Sequence, residues 1–198
     1  VPTFTLFKDG VEFFCHSPFI EHCEGKDIVR NQASLIFNIR FNAEDNLYDY
    51  LAVGDADSCD LEKIVSITKY HDNQNRLAWD LFNVPHHCSY KALNEADKGS
   101  NETEPTPLVK ELLEMGKENA YEVSASRPII DNSASYEQTQ PPHIQAHKTY
   151  ENYLKQVKGR KLLVTMQEPN TKQPQPLTFE VTAGGISFLR ATSIGASA

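Results

Sequence analysis

Apolar residues in this chain come in short blocks and alternating runs, each stopped by a cluster of polar or turn-forming residues. That pattern predicts strands over Val11 to Cys15, Ser34 to Phe41, Tyr48 to Val53, Trp79 to Val84, Ala120 to Ser124, Lys161 to Met166, Leu177 to Val181 and Ile186 to Leu189. Helical spacing predicts Leu61 to Tyr70 with Asp60 as its N-cap, Pro107 to Lys117, and Ile144 to Lys158. In the second of these, Leu108, Leu112 and Met115 share a face. Strands and helices interleave without an internal repeat, so the expected class is α/β or α+β. Two polar stretches interrupt the pattern. Lys91 to Thr106 reads as a surface insertion or lid, and Asp131 to Pro142 as a crossing near the same edge.

Two strand ends carry candidate chemistry. In YDYLAVGDADSCD an apolar run stops at Gly54 and presents Asp55 and Asp57 ahead of a helix. In AWDLFNVPHHCSY a strand stops at Pro85 and delivers His86 and His87 into a polar loop. One acidic and one imidazole strand end are the donor types of a metal site. Capping is the competing role for Asp55, because a carboxylate before a helix is ordinary N-cap chemistry.

With 198 residues and 39% hydrophobic content, the chain can bury one sizeable core, and residues 1–198 are read as one domain. No apolar run reaches the roughly 20 residues that a bilayer demands. A net charge of −8 argues against a broad basic face for nonspecific nucleic-acid binding. Cys15, Cys23, Cys59 and Cys88 form no CxxC pair, and reduced thiols in the cytoplasm are the expectation.

The order of motifs adds a resemblance. ASLIFNIRF, DYLAVGDAD, LFNVPHHCS, YEVSASRPIID, PPHIQAHKTYENYL, KLLVTMQ and GGISFL, in that sequence, resemble the C-terminal half of a metallo-β-lactamase-fold hydrolase. The nearest branch is the hydrolase domain of ComEC-like DNA-uptake proteins, in which a strand ending in Gly-Asp precedes one ending in Pro-His-His-Gly-Ser. The resemblance implies an αββα sandwich with a metal site at one edge. It places Asp55 as a bridging ligand and His86 or His87 as a further ligand, with His87 also catalytic beside Asp55. His143 and Asn31 take substrate-side roles. One or two Zn²⁺ or Mn²⁺ ions would hold a metal-bound hydroxide for attack on a phosphodiester. The family's His-x-His-x-Asp-His run is missing, so the site is expected to be completed by an N-terminal half in the same or another chain. The abrupt start at Val1 reads as numbering that begins inside a longer protein. The alternative is a catalytically silent scaffold or interaction module.

The remaining candidates have plainer readings. His147 stands four residues from His143, a spacing that shares a helix face, but amphipathic surface helices often carry histidines. His16 reads as a packed strand end, and His22 and His71 as structural. A nucleophile built from Cys88 with an adjacent histidine is disfavoured, since neighbours in sequence do not readily adopt nucleophile-base geometry.

Overall fold

The computed structural model describes residues 4–18 and 34–189. Asn31, His22 and Cys23 lie outside the described residues. The fold is mixed α/β. A six-stranded sheet is formed by β1 (Val11–Ser17), β2 (Ile36–Ala43), β3 (Asn46–Ala52), β4 (Trp79–Val84), β5 (Gly116–Ser124) and β6 (Lys161–Val164). Each strand lies beside its neighbour in sequence, antiparallel through β3 and parallel from β3 to β6. A separate hairpin joins β7 (Thr178–Thr182) to β8 (Gly185–Leu189).

Three longer helices fill the parallel crossovers: α1 (Ser58–Tyr70), α2 (Pro107–Glu114) and α3 (Ile144–Gln156). When strands are added in one direction with right-handed crossovers, every helix falls on the same face of the sheet. The main core reflects this. Leu61, Ile64 and Val65 of α1, Val109 and Leu112 of α2, and Ala146 and Tyr150 of α3 share one buried cluster with Leu51, Trp79 and Phe82 of the sheet.

The opposite face is also apolar, but its cover is partial. Cross-strand partners place Phe13, Ile39, Tyr50, Leu81 and Tyr121 in one row. The hairpin packs over the β5 end of that row, where Tyr121, Leu163 and Ile186 form a small core with Leu81 and Phe179 against it. At the β1 end Phe13 remains 50% exposed, with Phe4 and Phe37 rings beside it.

Helix boundaries differ from the pattern-based expectation for local reasons. α1 begins at Ser58 because Asp57, not Asp60, is the N-cap, its carboxylate accepting from the Asp60 N–H at 3.1 Å. α2 stops at Glu114, and the next residues already belong to β5. Gly116 starts that strand beneath the Trp79 indole, where a Cβ would lie 2.5 Å from the ring. The indole N–H donates to Leu112 O at 3.1 Å, so tryptophan packing fixes where helix gives way to strand.

Candidate metal and substrate site at the strand ends

Parallel strands deliver their carboxyl ends to one edge, the usual location of binding sites in open α/β sheets. Asp55 follows β3, His86 and His87 follow β4, Ser126 and Arg127 follow β5, and Thr165 and Met166 follow β6. His143 caps the start of α3 at the same edge, its N–H donating to Cys88 O at 3.0 Å.

The two histidines do not continue an extended strand. His86, His87 and Cys88 have φ of 48°, 55° and 65°, three consecutive left-handed residues of which none is glycine. L-residues adopt this conformation at a cost of roughly 1–2 kcal/mol each, and it persists only where the surroundings impose it. Here the His86 N–H donates to Gly54 O at 3.0 Å and the Cys88 N–H to Pro85 O at 3.0 Å. The first bond ties the β4 end directly to the β3 end. It is this turn, not strand alternation, that separates the two imidazoles.

The turn brings His87 to Asp55. Its Nε2 lies 3.5 Å from Asp55 Oδ1, with the two side chains 52% and 48% exposed. Its Nδ1 lies 2.7 Å from Ala125 O. A carbonyl oxygen only accepts, so Nδ1 carries a proton, the orientation typical of metal-binding imidazoles. Nε2 then faces an acceptor-only carboxylate. Donors about 2.1 Å from a tetrahedral Zn²⁺ sit about 3.4 Å apart, which the Asp55–His87 pair matches. Asp55 is also free of the competing capping role, since Asp57 holds it. Among the described residues, no three His, Cys, Asp or Glu side chains gather into a group able to hold a metal. Asp55 and His87 therefore fit as part of a ligand set.

The other histidines divide clearly. His86 is half-buried, its Nδ1 enclosed without a hydrogen-bond partner among the described residues. His143 is 1% exposed, and its Nδ1 accepts from the Tyr90 N–H at 3.4 Å. Burial, with the Lys98 charge adding to it, holds its pKa down to about 4, so the ring is neutral beneath the turn. His147 sits lower on α3 beside Glu151, and His16 is packed between Thr68 and the Arg76 carbonyl.

Cys88 points into the core. Burial pushes its thiol well above the ordinary range, with Glu122 and Glu151 adding to the shift. A buried, protonated sulfur does not serve as a nucleophile. Glu122 lies under the same loop, fully buried, both carboxylate oxygens without a partner among the described residues, and burial drives its pKa well up. An acid whose pKa is raised on folding destabilises the native state increasingly as pH rises above the unfolded carboxylate value. Glu122→Met is expected to raise stability near pH 8 by about 1–2 kcal/mol, with the gain shrinking toward pH 4. Urea midpoints at the two pH values check it, and an equal gain at both would mean that packing alone is responsible.

Beside His87 opens a cavity of about 540 Å³. Ser126 and Arg127 line it from the β5 end, Gln140, Pro141 and Pro142 from the approach to α3, and Thr165 with Met166 from the β6 end. None of these was a candidate from sequence. The available signal was position, since most of them fall within three residues of a strand end or of the α3 cap. The Lys91 to Thr106 segment, expected as an insertion or lid, is instead pinned down. Thr103 is buried and bonded through its N–H to Thr149 Oγ1 at 3.1 Å, and the Thr106 N–H donates to Leu93 O. Lys98 donates to Tyr136 O and Gln138 O, joining the two polar stretches as expected.

No family model matches the chain, and no curated protein and no solved structure matches it either.

Proposed function

We propose that this chain is the C-terminal part of a metal-dependent hydrolase of the metallo-β-lactamase fold, in its ComEC-like branch, acting on phosphodiesters. The observation that carries the reading is the Asp55–His87 pair. An imidazole nitrogen and a carboxylate oxygen face each other at 3.5 Å, held by a strained turn and by the Ala125 carbonyl behind the imidazole. Asp55 and His87 would hold a Zn²⁺ or Mn²⁺ ion. Bound there, a divalent ion supplies Lewis acidity and an acidified water. The chain's own contribution is orientation. Ala125 O fixes the His87 tautomer, and the His86–Gly54 bond holds the two strand ends together. Remaining ligands would come from an N-terminal half, which would also cover the row from Phe13 to Ile39 that the hairpin leaves bare.

The shortage of a third donor among the described residues favours a second reading, a scaffold that keeps this edge without the chemistry. Metal titration separates the two. Zn²⁺ or Mn²⁺ should bind the chain, and Asp55→Asn or His87→Ala should weaken binding on the order of 100-fold. Affinity indifferent to both changes would leave only the scaffold.

A further inference from the structure

The cavity beside His87 has a composition that the ligand pair does not explain. Arg127 is the only lysine or arginine lining it. Among the described residues no carboxylate lies within ion-pair distance of its guanidinium, on a chain that carries a net charge of −8. Two lysines near this edge are engaged: Lys98 by two backbone carbonyls, and Lys148 by Asp131 and the Tyr136 hydroxyl. Pro141, Pro142 and Met166 supply apolar lining to the same cavity, and Met166 is left 46% exposed in it. Gln140 adds an amide that can donate and accept.

A guanidinium without a partner is a ready bidentate site for a phosphate, and apolar lining suits a ring. About 540 Å³ is the size of a small-ligand pocket. A polynucleotide track needs cations spaced along several phosphates, and this cavity offers one. We propose that the cavity binds a small organic phosphate of nucleoside-monophosphate size, its phosphate on Arg127 and its ring against Pro141, Pro142 and Met166. This deepens the hydrolase reading by placing the nucleoside side of a small phosphodiester next to His87, in preference to a long nucleic acid.

Calorimetric titration of the chain with adenosine 5′-monophosphate, adenosine, inorganic phosphate and a short single-stranded oligonucleotide tests it. The monophosphate is expected to bind more tightly than the other three. Arg127→Gln should weaken monophosphate binding on the order of 10- to 100-fold, toward the level of adenosine, with thermal unfolding unchanged because Arg127 is exposed. Equal affinity for adenosine and its monophosphate, or indifference to Arg127→Gln, would overturn the proposal. Tighter binding of the oligonucleotide would overturn its choice of a small ligand. The same titration on Asp55→Asn keeps the two readings apart. Monophosphate binding that survives while metal affinity proves independent of Asp55 would sink the hydrolase and leave the pocket standing.

Discussion

Asp49→Ala is expected to cost about 3–5 kcal/mol of stability, the loss typical when one partner of a buried charge cluster is removed. Asp49 is 2% exposed and sits opposite Arg40 in the β2–β3 register. Arg40 donates to it at 2.7 and 3.3 Å, and Lys117 at 2.9 Å. Lys117 also reaches Asp80 at 2.6 Å, and Asp80 accepts from the Asp49 N–H at 2.7 Å. Burial pushes the Asp49 carboxyl up, but Arg40 and Lys117 outweigh it and hold the group below its usual range. Removing the carboxylate leaves the Arg40 guanidinium buried, with the Asn75 carbonyl as its remaining acceptor. Asp49→Asn, which keeps one acceptor oxygen, should cost less. The pKa direction gives the sign with pH. The carboxylate's contribution is present above the unfolded value near 4 and is lost as pH falls below it. Urea unfolding of both variants checks this, and a loss under about 1 kcal/mol for alanine would mean that the guanidinium escapes to water.

His16 gives the second large effect, in a different pH window. Burial lowers its pKa to about 4, with the Arg76 charge adding to the shift and the Arg76 carbonyl opposing it. The unfolded chain takes up this proton near pH 6.5 and the folded chain only near 4, so stability is full above 6.5 and falls as pH drops through that interval. The shift corresponds to about 3 kcal/mol. His143, also held to about 4, titrates in the same window. His16→Gln, with polar ends to meet Thr68 and Arg76, should therefore make the stability curve less steep between pH 6.5 and 4. Parallel stability curves for the variant and the parent chain would show that His16 is not the group titrating.

The strand ends were legible from sequence because glycine and proline punctuate them: Gly54 and Pro85 stop apolar runs one residue before Asp55 and His86. Trp79 to Val84 was recovered to the residue, since both of its boundaries are local. Other boundaries slipped where a distant partner decides them, as when Trp79 sets the end of α2 through Gly116. The choice between His86 and His87 was hidden as well. It depends on three left-handed residues, and none of them is the glycine that ordinarily announces such a turn. The Arg40–Asp49–Lys117–Asp80 cluster and the Arg127 cavity draw on segments far apart in the chain, and no pattern along one segment encodes them.

The strictly sequential strand order has a consequence for how the chain is made. Each new strand emerging from a ribosome finds its partner already in place, so the sheet can grow by accretion, but every parallel pair from β3 to β6 must close a long crossover, the kind of pairing that folds slowly. The hairpin that covers part of the second face is the last of these elements to appear. Until it docks, the aromatic row through Tyr50, Leu81 and Tyr121 stays bare beside an open sheet edge, which places the hazard of aggregation late in synthesis.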